Sequence, residues 1–180
     1  VACARANLNE SLPFEDSSFD CAVSIEVAEH LEHHFRYFEE LFRVVKPGGL
    51  VIVTTPNVVS LPARVFFLLH GFSDASRKPI DPRKPDYYND HIHPIALPDL
   101  LFQVERCGGE LVELTTNRLR RSAWAPYVLF GPLLKWNARR RLMKRRYADL
   151  HDLARRRLEV MHSKAALLGR IAIVVARRAG

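Results

Sequence analysis

No glycine precedes Gly48; all eight, at 48, 49, 71, 108, 109, 131, 169 and 180, fall later in the 180-residue chain, and none forms a Gly-x-Gly pattern. A glycine-rich turn that brings backbone close to a nucleotide-like cofactor is therefore excluded within these residues. Cysteine is scarce as well. Cys3, Cys21 and Cys107 are odd in number and widely spaced, which excludes both a disulfide framework and the paired spacing of a zinc site. They are expected to be reduced, buried thiols of a cytoplasmic protein. Long apolar runs are missing too: residues 58–72 and 122–136 are rich in apolar side chains, but each is short and contains proline, so neither reads as a membrane span. No basic start followed by an apolar run opens the chain, so no signal peptide is expected. The first residue is Val1 and not methionine, and a missing N-terminal part is the expectation.

Acidic residues are nearly absent from the last third. Residues 1–117 hold ten Lys/Arg against seventeen Asp/Glu, whereas 118–180 hold seventeen against three. A formal charge of −7 thus faces one of +14, an asymmetry that calls for an anionic partner at the basic end, either a membrane surface or nucleic acid.

With 48% hydrophobic residues, the chain can bury the core of one domain. The run 20–25 is short and mostly apolar, as expected of a strand buried on both faces of a parallel sheet. Residues 29–45 carry Leu31, Phe35, Phe38, Leu41, Phe42 and Val45 at helical spacing, and Lys46-Pro-Gly-Gly49 predicts a hard stop. The β-branched run 50–55 predicts a second buried strand, making a right-handed parallel crossover. Residues 98–107 predict a helix with Leu100, Leu101 and Val104 inward, ended by Gly108-Gly109, and 110–116 alternate as a strand. A last apolar strand is predicted at 170–176. The roughly fifty residues before it are too many for a bare connection and should carry helices of their own.

Three linked motifs point to a family. Asn7-Leu-Asn-Glu-Ser-Leu-Pro-Phe-Glu-Asp-Ser-Ser-Phe-Asp20, then Ile25-Glu-Val-Ala-Glu-His-Leu31, then Arg43-Val-Val-Lys-Pro-Gly-Gly-Leu50 together resemble, in order, spacing and type, the middle of class I S-adenosylmethionine-dependent methyltransferases. The likeness is greatest to the small-molecule, type 11 or ubiquinone-biosynthesis-like group. It extends to about residue 116, including His91-Ile-His-Pro-Ile95, weakens over 117–169 and returns at the last strand.

The resemblance implies an α/β fold: a partial Rossmann-like sheet supplying strands 4, 5, 6 and 7 of the seven-stranded methyltransferase order. A basic, aromatic-rich helical insertion at 118–169 precedes the last strand of this single domain. It also implies S-adenosyl-L-methionine as cofactor. Asn7 would accept a hydrogen bond from the adenine amine, Leu8 would pack on the ring, and Ile25 and Glu26 would meet the methionine portion, with His30 nearby. An Asx turn leading into Leu12-Pro13 is the competing role for Asn7. His91 and His93, with Tyr87 or Tyr88, are the polar candidates closest to substrate, and a histidine can act as general base near neutral pH. His30, His33 and His34 do not match the His-Glu-x-x-His order of zinc proteases. On a helix His30 and His34 could share a face, but the pattern indicates neither a carboxylate nor a third ligand, and no metal is expected.

The expected activity is methyl transfer to a small or lipid-linked acceptor, by a protein that is cytoplasmic and peripheral at the inner face of the membrane. Trp124, Tyr127, Phe130 and Trp136 lie among the Arg and Lys of 118–157, a composition suited to an anionic membrane surface. The alternatives are a non-catalytic remnant and a nucleic-acid-binding module, the latter opposed by apolar runs where a wet interface would lie. The family needs a Gly-rich turn after its first strand and an acidic residue after its second, and these residues supply neither. Residues 1–180 alone should therefore bind S-adenosylmethionine too weakly to saturate in calorimetry; saturable micromolar binding would overturn this.

Overall fold

The computed structural model describes residues 3–75, 81, 83 and 90–180, and of residues 145–147 the backbone alone. Tyr87 and Tyr88 lie outside the described residues. In chain order the elements are β1 (Phe19–Ile25), a 3-10 turn at Ala28–His30, α1 (His34–Val44), β2 (Val45–Pro56), α2 (Leu61–His70), α3 (Leu97–Arg106) and β3 (Gly109–Thr115). Then follow a 3-10 turn at Arg121–Ala123, α4 (Trp124–Leu142), a 3-10 segment at Arg145–Leu150, α5 (His151–Met161), α6 (Lys164–Leu168) and β4 (Ile171–Arg178).

The sheet order is β1-β2-β4-β3. β1 and β2 are parallel across the α1 crossover, and β4 enters antiparallel between β2 and β3. Inserting the last strand between two earlier ones gives β2 and β4 seven consecutive register partners, Leu50↔Arg177 to Pro56↔Ile171. The core lies on one face of this sheet. Phe38, Leu41 and Phe42 of α1 and Leu100, Leu101 and Val104 of α3 project at helical spacing onto Val51, Val53, Val174 and Ala176. The stop after α3 is built as its sequence suggests: Gly108 takes φ +73°, and a Cβ on Gly109 would lie 2.5 Å from the Phe42 ring. Only glycine allows that approach without displacing Phe42.

Several expectations need correction. β1 is not buried on both faces. Ser24 is buried, but Val23 is 57% and Ile25 67% exposed, because among the described residues β1 pairs with β2 alone and one of its faces carries no helix. Cys21 lies on that open side and is exposed, as is Cys3, while Cys107 is half-buried; the thiols are free but not uniformly buried. The helix expected from Glu29 begins at His34. Leu31 is extended (ψ 140°), and Asn9 Oδ1 accepts the His33 N–H at 2.9 Å, so the ladder cannot propagate through 31–33. β2 starts at Val45: Phe19 pairs with Val45 and Cys21 with Leu50, so the Lys-Pro-Gly-Gly segment is a bulge within the strand.

The connection before β4 does carry helices, α4 to α6. Its junction with the sheet is made by Asn57, a buried side chain whose Nδ2 donates toward the carbonyls of Ala165, Ala166 and Gly169 at 3.3, 2.9 and 3.1 Å. Its Oδ1 accepts the Val59 N–H at 3.2 Å. One amide thereby satisfies backbone at the end of β2 and around α6; orphaning such groups costs about 1–3 kcal/mol each.

The segment before β1 is held by an ion-pair network on α1. Arg43 donates to Asp16 at 2.6 Å, to Glu40 at 2.7 Å and to the carbonyls of Phe14 and Leu12. Glu40 in turn accepts the Leu12 N–H at 2.7 Å. Its hydrogen bond to Arg43 holds the Glu40 carboxyl below its ordinary 4.5, against the opposing effect of burial. A carboxylate whose pKa falls on folding stabilises the fold above the unfolded value and loses that contribution as pH drops through the folded one. The stability advantage of the natural protein over Glu40→Gln should therefore be full at pH 7, shrink below about pH 4.5 and vanish in stronger acid. Urea unfolding across that range measures it, and a pH-independent difference would contradict it.

Candidate functional site

The site is built at the carboxyl end of β1, where parallel α/β sheets gather ligands. As the chain leaves the sheet, Glu26 turns into the left-handed region at φ +53°. A non-glycine residue there carries strain of about 1–3 kcal/mol and persists only where its surroundings fix it. Thr54, register partner of Ile25, supplies the fixing. Its carbonyl and its Oγ1 accept the Glu26 N–H at 3.1 and 3.0 Å. Glu26 Oε1 is buried without a hydrogen-bond partner.

Two cavities meet at this turn. The larger, about 760 Å³, is lined by residues 5–9 on one side and by Glu26, Val27, His30, Leu31 and Glu32 on the other. The smaller, about 280 Å³, has Glu26, Asn57, Asp74, His91, Arg120 and Arg170 among its walls, with Arg120 Nη1 3.1 Å from Asp74. Glu26 stands in both.

Of the residues anticipated for cofactor binding, Asn7, Leu8, Glu26 and His30 come together at the larger cavity. Ile25 lines neither; its side chain points to the open face of β1. Asn7 forms the Asx turn that the sequence allowed: Oδ1 accepts the Asn9 N–H at 3.1 Å, and Nδ2 donates to Glu10 at 2.8 Å. A carbonyl oxygen has two lone pairs, so the turn leaves Oδ1 capacity for a second donor. Leu8 is half-buried against the core.

The histidines separate into two pairs. His30 faces His91, with ring centroids 4.8 Å apart, and His34 lies beside His93 at 5.5 Å; His30 and His34 therefore do not form the shared helical face that their spacing allowed. His91 lines the smaller cavity and His93 lines neither. Burial, reinforced by the charge of His93, depresses the pKa of His34.

Sequence reasoning missed Glu29. It is fully buried in the 3-10 turn, and neither carboxylate oxygen has a hydrogen-bond partner. Burial raises its pKa above the ordinary 4.5; the negative charge of Glu26 adds to the rise, while its own backbone, His30 and His91 oppose it. The available signal was an acidic residue inside the apolar run Val27-Ala-Glu-His-Leu31. Asp74, Arg120 and Arg170, brought to the smaller cavity from three distant segments, had no local signal at all.

Residues 1–53 match the family model described as "Methyltransferase domain". A "Probable S-adenosylmethionine-dependent methyltransferase" of Mycolicibacterium smegmatis is 33% identical over 138 residues, 66% of this chain and 48% of that protein. Phthiotriol/phenolphthiotriol dimycocerosates methyltransferase 1 of Mycobacterium ulcerans is 42% identical over 45 residues, 25% of this chain and 17% of that one. The chain thus spans at most about half the length of these relatives. Among solved structures, a candidate methyltransferase of Bacillus halodurans superposes with TM-score 0.54 at 17% identity, covering all of this chain and 78% of the other. Together with the antiparallel strand between β2 and β3, this likeness establishes a class I methyltransferase-like α/β Rossmann fold.

Proposed function

We propose that this chain serves S-adenosylmethionine-dependent methyl transfer to a small or lipid-linked acceptor. The observation that carries the reading is the convergence of Asn7, Leu8, Glu26 and His30, from two separate segments, on one cavity at the carboxyl end of β1. Its volume of about 760 Å³ lies in the range of roughly 300–1,000 Å³ usual for small-molecule sites.

The residues fit the cofactor's chemistry. Asn7 Oδ1 retains an acceptor position for an exocyclic amine, and Leu8 offers an apolar surface to a ring. Glu26 presents a buried, unpartnered carboxylate oxygen to a cationic centre, which lowers the cost of burying both charges. The cofactor, when bound, supplies an electrophilic methyl group on a sulfonium. The chain's contribution is then mainly positioning, with Glu26 at the partition between the large cavity and the smaller one, where an acceptor would sit. Of the two histidines considered as proton acceptors, only His91 is placed at that smaller cavity.

A lipid-linked acceptor is favoured by the surface. Leu68 of α2 and Leu129 of α4 are 82% and 70% exposed, and both helices pack on α6 and the 121–123 turn, which makes them neighbours. Lys135 and Arg139, Arg140 and Arg141 continue α4, with Arg140 stacked 5.4 Å over Trp136. Apolar side chains rimmed by cations suit docking on an anionic leaflet. No helix among the described residues is long and apolar enough to cross a membrane; the contact proposed is a peripheral one, at the cytoplasmic face, made by the exposed side chains of α2 and α4. The mycobacterial relative named for a phthiotriol dimycocerosate acceptor supports the same substrate class.

Two measurements test these readings. In the protein encoded by the whole open reading frame that contains these residues, Asn7→Ala and Glu26→Gln should each weaken S-adenosylmethionine binding about tenfold, or about 1.4 kcal/mol; calorimetric affinities unmoved by either would refute the site. Co-sedimentation with phosphatidylglycerol vesicles should be salt-sensitive and lost in Leu68→Glu/Leu129→Glu. Retention of vesicle binding by that variant, or preference for duplex nucleic acid over vesicles, would remove the membrane proposal.

A further inference from the structure

Arg120 and Arg170 stand in the walls of one small cavity although both are cations. Arg120 Nη1 donates to Asp74 Oδ2 at 3.1 Å, and Asp74 is nearly buried. Arg170 has no side-chain hydrogen bond or ion pair among the described residues. Like charges drawn to one place repel unless something negative lies between them. We propose that the smaller cavity is a phosphoryl subsite, where Arg120 and Arg170 together bind a phosphate ester carried by the methyl acceptor. That the ligand is a methyl acceptor rests on the methyl-transfer reading; that it is anionic rests on the cavity.

The two arginines are brought together by backbone. Leu119 and Gly169 form an antiparallel bridge, in which the Arg120 N–H donates to the Leu168 carbonyl at 2.8 Å and the Arg170 N–H to that of Arg118 at 3.0 Å. Side chains alternate along paired segments, so Arg120 and Arg170, each following a bridge residue, both turn away from the side that Leu119 takes. The Asn57 N–H donates to the Arg170 carbonyl at 3.1 Å and ties the pair to the end of β2. Gly169 permits the approach: a Cβ there would collide with the Ala165 carbonyl and the Thr116 side chain.

The chemistry of the walls favours a phosphoryl group. A guanidinium presents a planar fork of N–H donors that matches two oxygens of an anion. One fork satisfies a planar carboxylate, whereas two forks from different segments suit the three outward oxygens of a phosphate monoester. Asp74 engages Nη1 of Arg120 and leaves its Nη2 and Nε without a protein partner among the described residues. Glu26, the other carboxylate in these walls, stands at the partition, where the cationic centre of the cofactor would offset it. At about 280 Å³ the cavity has room for a headgroup and not for acyl chains as well. The chains of a lipid acceptor would leave it beside Arg120, which leads directly into the 121–123 turn on which α2 and α4 pack. The subsite thus adjoins the apolar surface of Leu68 and Leu129, and a phosphoryl group held at its wall orients the rest of the acceptor toward His91 and Glu26.

The test uses the protein encoded by the whole open reading frame that contains these residues, titrated calorimetrically with dihexanoyl phosphatidate, glycerol 3-phosphate and uncharged dihexanoylglycerol. Phosphatidate should bind saturably and more tightly than dihexanoylglycerol. Arg170→Ala should weaken phosphatidate about tenfold, and Arg170→Lys, which keeps the charge and loses the fork, should recover part of the loss. Asp74→Asn keeps an oxygen for Arg120 and removes the competing charge, so it should tighten phosphatidate, a direction that a merely structural role would not produce. Arg155→Ala/Arg156→Ala, which removes two exposed cations of α5, should change nothing. Phosphatidate bound more tightly than glycerol 3-phosphate identifies a lipid-borne phosphate, and the reverse or equality a soluble phosphate ester; both uphold the subsite. Absence of saturable binding of either phosphate would overturn it. So would equal affinity for phosphatidate and dihexanoylglycerol, an unmoved Arg170→Ala, or an equal loss in the α5 variant. Titration of the natural protein with S-adenosylmethionine separates the two readings: Arg170-dependent phosphate binding without cofactor binding removes methyl transfer and leaves the anion site, and the converse removes the anion site alone.

Discussion

The hydrogen bonds from the Glu26 N–H to the carbonyl and hydroxyl of Thr54 are the constraint on which the site depends. They hold a non-glycine residue in the left-handed region, and that reversal carries the chain off the sheet straight into the 3-10 turn of residues 28–30. Were Glu26 to relax to an extended conformation, β1 would continue alongside the last residues of β2 instead of leaving the sheet. Glu29 would then leave its buried position, and the partition between the two cavities would dissolve. The strain is confined to one residue because its neighbour on β2 is a threonine, whose side chain and backbone can both accept from the same N–H. Serine could supply the same acceptors; valine, similar in shape, could supply only the carbonyl.

Two further devices bring distant segments to this turn. Arg43 and Glu40, one helical turn apart at the end of α1, hold residues 12–16 by backbone as well as side-chain contacts. The loop bearing Asn7 and Leu8 is thus fixed at its C-terminal end, and Asn9 fixes it again by capping the His33 N–H. On the other side, Asn57 binds the carbonyls around α6 and Gly169, so the antiparallel return into β4 and the end of β2 form one unit. Arg170 lines the smaller cavity for that reason. Polar side chains bonded to backbone, and not apolar packing alone, decide what surrounds the site.

This explains which parts of the molecule were legible in the sequence. The helix and strands whose apolar spacing reports burial, α3, β3 and the body of β2, lie close to their expected positions, because periodicity encodes the face that meets the core. So does the stop at Gly108-Gly109, where backbone conformation and the approach of Phe42 both demand glycine. β1 misled because an apolar run says how greasy a strand is and not how many of its faces are covered. The start of α1 misled because Asn9, 24 residues away, takes the N–H that a continuous helix would need. Of the residues that the linked motifs singled out for a cofactor, Asn7, Leu8, Glu26 and His30 share a cavity, while Ile25 and His93 line neither cavity. The pairing of His30 with His91, 61 positions apart, was beyond any local pattern; a helical reading paired His30 with His34.

The charge asymmetry acquires a spatial meaning from the same geometry. The acidic two-thirds contributes Glu29, which is buried at the site, and Glu26, whose Oε1 is buried there; both carboxylates favour a cationic centre. The basic third contributes Arg120 and Arg170 to the smaller cavity and leaves Lys135, Arg139, Arg140, Arg141, Arg155 and Arg156 exposed along α4 and α5. Burying carboxylates beside a cavity is tolerable only where positive charge is available to it, from a ligand or from neighbouring imidazoles, since the energetic cost of an isolated ion grows as the local dielectric falls. The exposed arginines cannot meet that need, being screened by water at their own surface. The two populations of charge are therefore separate in space: one lines two cavities, the other is exposed on the surface of α4 and α5.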